Sequence, residues 1–211
     1  MDNARREGIC RFMGYDSDIV IIGGGLNGCA LALACARAGL SSVLIDRLPA
    51  EVRGAERFDG RSYALAAASQ RLLSALGLWG ALKAEAQPIL EIKASDGRAG
   101  EGAAPFFLHF DAAELEEGPM GWMVEDRHLR RELLAAIGDE PLVDHRPGQT
   151  VVAQTIEGLQ AQVVLESGAR LSAPLIVGAD GKTSETALRA GIRRTGWSYG
   201  QTAIVCAVAH E

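Results

Sequence analysis

Four consecutive apolar residues, Ile19–Ile22, stop at Gly23-Gly24-Gly25, and apolar positions resume after Asn27 in an alanine-rich stretch that runs to Gly39. A second solid apolar run, Val43–Ile45, ends on Asp46. Short runs with no polar alternation predict strands covered on both faces, as in a parallel sheet. Residues 18–47 therefore predict strand, glycine turn, helix and strand. A polar loop over 48–62 follows, with Arg53, Arg57 and Arg61 spread through it. Leu65, Leu72, Leu73 and Leu76 predict a helix over 66–76 that Gly77 ends, and a shorter one over 79–86 precedes Pro88. The period then becomes two. Strands are predicted at 89–94 and 106–110, with an Asp96-Gly97-Arg98 turn signal between them, and at 120–124.

Helical spacing returns at Leu129, Leu133 and Ile137, with Asp126 as N-cap and Gly138 as the stop. A hairpin is predicted from 149–156 and 159–166 around Glu157-Gly158. A third strand at 170–172 follows the Ser167-Gly168 turn, and a solid apolar strand, Leu175–Gly178, runs into Ala179-Asp180-Gly181. Thr202–Val208 begins a further strand. This order predicts an α/β nucleotide-binding unit over 17–86 and 124–192, interleaved with a second, antiparallel sheet over 87–123 and 193–211. The first 16 residues are expected to be a disordered extension. The second sheet has too few strands and no covering helix to bury a stable face, so the chain is expected to be the N-terminal portion of a longer protein.

Composition narrows the partners. At 211 residues, 48% hydrophobic and 23% charged, the chain reads as ordinary globular protein, and its net charge of −6 argues against nucleic acid. The apolar run from Ile19 follows Arg5, Arg6 and Arg11 like an export signal, but its glycines and Asn27 break a spanning helix. Four cysteines show no C-x-x-C spacing, so Cys29 and Cys35 read as core residues in a reducing compartment. The four histidines are scattered, and no metal site is expected.

The chemistry concentrates in the glycine turn. Gly23, Gly25 and Gly28 form G-x-G-x-x-G in its full context of strand, helix, strand and acid. Gly23 permits the turn, Gly25 lets the backbone approach a pyrophosphate, and Gly28 lets the helix pack close to the strand. The helix N-terminus attracts the phosphates, and Asp46 can accept the hydroxyls of an adenosine ribose. Lys182, Arg189, Arg193 and Arg194 form a basic group that reads as a solvated face rather than a site for NADPH phosphates.

Three segments, DIVIIGGGLNG…LIDR, DGRSYALAAASQRLLSALGLW and LIVGADGKTS, together resemble the FAD-dependent aromatic hydroxylases, most of all the ubiquinone-biosynthesis hydroxylases. GWMVEDRHLRRELL fits the helix between them, and WSYGQTAIVCAVAHE fits a return to the substrate sheet. The resemblance implies a glutathione-reductase-like, p-hydroxybenzoate hydroxylase-type fold: an FAD-binding Rossmann domain with a β-meander, interleaved with an incomplete antiparallel substrate-domain sheet. It implies that Gly23, Gly25 and Gly28 hold the FAD pyrophosphate and that Asp46, with Arg47 beside it, holds the ribose. Arg61 matches the arginine on the flavin side. Asp180 and Gly181 match the Asp-Gly motif that fixes the pyrophosphate region, and Arg127 is a further cofactor candidate. Asp126 stands where the ubiquinone branch often has asparagine, and it is assigned to capping. The family's usual arginine after Asp-Gly-x-x-Ser is replaced here by Ala187, with Arg189 two residues on.

The implied activity is NAD(P)H- and O2-dependent hydroxylation of an aromatic ring, with oxygen adding at the flavin C4a position. The implied substrate is a polyprenylated phenol. That places the protein in the cytoplasm, peripheral to the inner membrane or in a ubiquinone-biosynthesis complex. No catalytic residue is named, because the cofactor carries the chemistry. The alternatives are a truncated FAD-binding module without turnover and a flavin-dependent reductase of the same fold.

Overall fold

The structure is a computed structural model and describes residues 14–98, 100–115 and 118–202. From the N-terminus the elements are β1 (Ile19–Ile22), α1 (Leu26–Arg37), β2 (Ser42–Asp46), α2 (Ala50–Arg53), β3 (Ser62–Ala66), α3 (Ala67–Ala75), α4 (Trp79–Leu82) and β4 (Ala86–Ile89). They continue with β5 (Glu91–Arg98), β6 (Gly102–Asp111), β7 (Gly121–Glu125), α5 (Asp126–Asp139), β8 (Val143–Pro147), β9 (Val151–Glu157), β10 (Gln160–Leu165), β11 (Arg170–Ala173), β12 (Leu175–Gly178) and α6 (Glu185–Arg189). Two compact units result: residues up to Arg57 with those from Arg130 onward, and Phe58–Leu129.

In the first unit β1 lies at the centre of a parallel sheet of order β12-β1-β2-β8. Every residue of β1 and β2 is buried, as the solid apolar runs require. Val20, Ile22, Val43 and Ile45 point to one face and cluster with Val151, Val163, Leu165, Leu171 and Ala173 of the antiparallel sheet β11-β10-β9. The alternate residues Ile21 and Leu44 face the other way, and α1 packs on β1, β2 and β8. Its buried positions are small: Gly28, Cys29, Ala32, Cys35 and Ala36, with Leu33. A large residue at each of those positions would hold the helix off the sheet.

The second unit holds the antiparallel sheet β3-β7-β4, the helices α3 and α4, and a separate hairpin β5-β6. Trp79 and Trp122 meet edge to face with ring centroids 5.2 Å apart. Pro88 lies inside β4, which is tolerated because β4 is an edge strand and its missing N–H leaves no ladder bond unmade. In the hairpin, Ile92 pairs with Phe110 and Ala94 with Leu108, so apolar side chains share one face while Glu91, Lys93 and His109 take the other.

Several expectations are corrected. β3, β4 and β8 were not legible as strands, and Asp96-Gly97-Arg98 lies within β5 instead of forming a turn. Helix α5 runs through Gly138 to Asp139. Residues 58–86 sort with 87–123, because β3 and β4 both hydrogen-bond to β7, and residues 193–202 sort with the first unit. Of the expected extension, residues 1–13 lie outside the described residues. Asp16, at its end, is fixed: its backbone N donates to Ser172 O at 3.0 Å, and its carboxylate accepts from Ser172 N at 2.7 Å. Apart from Thr202, the strand expected at 202–208 also lies outside the described residues.

Candidate dinucleotide site

At the C-terminal end of β1 the chain turns through Gly23, whose φ of +113° lies in the region open to glycine. A Cβ there would stand 2.4 Å from Ala179 O and 2.7 Å from Asp180 N, so the backbones after β1 and β12 are in direct contact. Two hydrogen bonds hold the junction, Gly23 N to Ile45 O and Ala179 N to Ile22 O, each 2.7 Å. Gly28 packs back onto the same turn. A Cβ at residue 28 would sit 1.8 Å from Gly23 O.

Gly25 is different. It is the N-cap of α1, with φ −75° and ψ −176°, and a Cβ on it would meet nothing within 4 Å. No side chain caps α1, and its first turn carries no acidic residue. The first N–H groups of a 12-residue helix are therefore left for an outside acceptor, with the helix dipole favouring an anion.

Asp46 closes β2 and is only 1% exposed. Its Oδ1 accepts from Leu48 N and from Arg53 Nη2, each at 3.0 Å, and its Oδ2 accepts from Arg53 Nε at 2.5 Å. Gly24 makes room for this carboxylate, since a Cβ at residue 24 would lie 2.7 Å from Asp46 Oδ2. Arg53 is anchored in turn through its backbone, where its carbonyl accepts from Arg130 Nη1 at 2.6 Å. The thiol of Cys29, in the first turns of α1, points at Gly24 O at 3.5 Å. Burial, and then the charge of Asp46, push it up to about 11 against the opposing pull of Arg53.

Asp180 lies in the turn after β12, but its carboxylate is committed to α6. It accepts from Ser184 Oγ at 2.5 Å and from both N and Oγ1 of Thr186 at 3.0 Å. Burial alone would raise its pKa, yet these hydrogen bonds outweigh burial and hold it below the usual carboxylate value. Gly181 follows at φ +86°. Arg189 donates to Val151 O at 3.1 Å and pairs with Glu185 at 3.8 Å.

Gly23, Gly25, Asp46, Arg47, Asp180 and Gly181 all line one cavity of about 360 Å³. Arg53, Gln149, Thr150, Thr183, Glu185 and Arg189 also line it, and the sequence assigned none of these to the cofactor. Gly28 supports the turn from behind. An open helix N-terminus, a backbone face free of any Cβ, a buried carboxylate and several guanidinium groups fit a dinucleotide's diphosphate and ribose.

Arg61 and Arg127 belong to the second unit. Arg61 pairs with Asp59 Oδ2 at 2.6 Å and with the buried Asp126 Oδ2 at 3.0 Å. Asp126 therefore serves an ion pair in addition to standing at the start of α5. Arg127 pairs with Glu125 at 2.6 Å and lies over the Phe58 ring at 5.7 Å. In the basic group, Arg194 donates to Lys182 O. Among the described residues one set of potential metal ligands converges, Glu91, His109 and Asp111 across the β5-β6 register, although no metal site was expected. It is surface-exposed, and the Lys93 ammonium already contacts Glu91.

A family model described as "FAD binding domain" matches residues 16–209. The chain belongs to that FAD-binding family. It is 44% identical over 197 residues to ubiquinone hydroxylase UbiL of Rhodospirillum rubrum, covering 92% of this chain and 44% of that protein. It is 33% identical over 198 residues to 3-demethoxyubiquinol 3-hydroxylase of Escherichia coli, covering 92% of this chain and 49% of that one. The chain thus spans about half the length of the curated relatives it matches. In fold it is similar to PqsL, a probable FAD-dependent monooxygenase from Pseudomonas aeruginosa, with TM-score 0.68 at 22% identity over 85% of this chain and 46% of that one. It is also similar to p-nitrophenol 4-monooxygenase PnpA from Pseudomonas putida, with TM-score 0.68 at 19% identity over 82% and 43%. These likenesses bear out the α/β flavoprotein fold inferred from the three motifs.

Proposed function

We propose that this chain is the FAD-holding part of an aromatic-ring hydroxylase of ubiquinone biosynthesis. One observation carries the cofactor reading: the glycine turn, the uncapped start of α1, Asp46 and the Asp180 turn line a single cavity. The diphosphate is assigned to the N–H groups of α1 beside Gly25, with Arg47 and Arg189 as nearby cations, and the adenosine ribose to Asp46. Asp180 acts through its turn, placing Gly181 backbone at the cavity while its carboxylate ties down α6. Arg61 and Arg127 are assigned toward the flavin by resemblance alone. The names of the relatives support hydroxylation of a ubiquinone precursor, and hence a phenol with a polyprenyl chain.

Bound flavin would supply hydride acceptance from NAD(P)H and activation of O2, and the protein's part is to orient it and exclude water. A prenylated substrate implies that the protein works at a membrane surface or within a biosynthetic complex. No helix among the described residues is long and apolar enough to cross a membrane. The interleaved arrangement, with a substrate domain built on the β5-β6 hairpin, is part of the same reading.

Titration of the flavin-free protein with FAD, followed by quenching of flavin fluorescence, tests the cofactor assignment. Saturable one-to-one binding is expected. A folded protein, by circular dichroism, that leaves FAD fluorescence unchanged would overturn it. Oxygen-dependent NAD(P)H consumption and product formation with a prenylated phenol, in the full-length protein, tests the reaction.

A further inference from the structure

We propose that Arg53 occupies the ribose position on Asp46 and is exchanged for the ribose hydroxyls when a dinucleotide binds. The inference rests on the cofactor reading above and concerns how that site opens. A carboxylate offers about four lone-pair sites. On Asp46 the Leu48 amide and Arg53 Nη2 use both of those on Oδ1, and Arg53 Nε uses one on Oδ2. A ribose diol brings two O–H donors and finds one site left. That site is on Oδ2, the oxygen that faces Gly24. The diol and the guanidinium cannot both be held in full.

The geometry also shows which group moves. Asp46 is fixed in β2 and 1% exposed, whereas the Arg53 side chain is 23% exposed and lines the cavity. Arg53 stands at the end of the four-residue helix α2, and the Arg130 contact holds its backbone carbonyl rather than its side chain. The cavity that the side chain already lines gives it a place to move into, while the backbone anchor stays. Asp46 keeps its number of hydrogen-bond donors throughout, with two O–H groups replacing two N–H groups, while the guanidinium charge moves from direct contact to the cavity that Arg53 lines. A single hydroxyl cannot replace a two-point guanidinium contact. The site then demands an intact 2′,3′-diol.

Two measurements on the 211-residue protein test this. Calorimetric titration with ADP, 2′-deoxy-ADP and 3′-deoxy-ADP should show both deoxy nucleotides binding at least about tenfold more weakly than ADP. If either one binds as well as ADP, Arg53 stays on Asp46 and the exchange is wrong. In the second, Arg53→Met should tighten FAD binding and speed association, because no group has to leave. Arg53→Lys, which keeps the charge but loses the fork, should fall between Met and wild type and guards against a folding defect in the Met variant. Weaker FAD binding by both folded variants would show that Arg53 supports the ribose site rather than blocking it. A folded wild-type protein that binds neither ADP nor FAD removes the cofactor reading itself, whereas the other adverse results remove the exchange alone.

Discussion

Gly23 and Asp180 meet backbone to backbone: a Cβ on Gly23 would stand 2.7 Å from the Asp180 nitrogen. The contact joins the turn after β1 to the turn after β12, so two sequence motifs far apart in the chain form one end of one cavity. Ligands of open α/β sheets bind at the carboxyl ends of strands, and both turns lie at such ends.

The three fingerprint glycines have different jobs, and alanine substitutions should separate them. At Gly28 the new methyl would lie 1.8 Å from Gly23 O, a backbone atom that cannot give way. Gly28→Ala should therefore cost about 3 kcal/mol or prevent folding. At Gly25 the methyl meets nothing and the backbone dihedrals suit any residue, so Gly25→Ala should cost only about 0.5 kcal/mol, as a poorer N-cap. The same methyl stands where a diphosphate must approach, and FAD affinity should fall at least about tenfold. Thermal unfolding and flavin titration on both variants check the pair. A Gly25→Ala protein that binds FAD normally would move the diphosphate elsewhere.

What was legible in the sequence follows from what each residue does. β1, α1 and β2 were readable because strands buried on both faces need unbroken apolar runs and the turn needs glycine. β8, with sequence VDHRP, carries no such run: it is the edge of the sheet and only Val143 is buried. β3 was hidden because its residues are mostly exposed, and β4 because Pro88 signalled a stop that an edge strand tolerates. Gly23, Asp46 and Asp180 could be placed in one site from motif context. Arg53 could not, because a loop arginine has no pattern of its own. Its one signal was its place seven residues after Asp46. The commitment of the Asp180 carboxylate to Ser184 and Thr186 was equally invisible, since local capping and ligand contact use the same residue types.

The Asp180 carboxylate sets an acid limit on this turn. Its folded pKa is lowered by Ser184 and Thr186, so the ionised form stabilises the folded state. That contribution is fully present above the unfolded carboxylate value of about 3.9 and is lost as pH falls below it through the folded pKa. Asp180→Asn should destabilise the protein by about 1–2 kcal/mol at pH 7, and the gap to wild type should close below pH about 4. Urea unfolding at pH 7, 5 and 3 measures it. An equal gap at all three values would mean that the charge contributes nothing.

Cys29 reports on the same site from beneath. Its thiol is pushed up to about 11 by burial and by Asp46, with Arg53 pulling the other way. The thiolate is the reactive form, so iodoacetamide at pH 8 should leave Cys29 unmodified in the folded protein, while urea-unfolded chain reacts as an ordinary thiol with a pKa of about 8.5. Peptide mass spectrometry after timed labelling gives the rate at this one position. Raising the pH toward 11 should speed labelling of the folded protein. Arg53→Met removes the one lowering influence and should slow Cys29 further at any given pH. Because the same guanidinium is expected to leave Asp46 when nucleotide binds, ADP should slow wild-type Cys29 labelling and have less effect on that variant. Labelling of folded wild-type Cys29 at the unfolded rate would show that α1 does not bury it, and the close helix–sheet packing that Gly28 permits would be wrong.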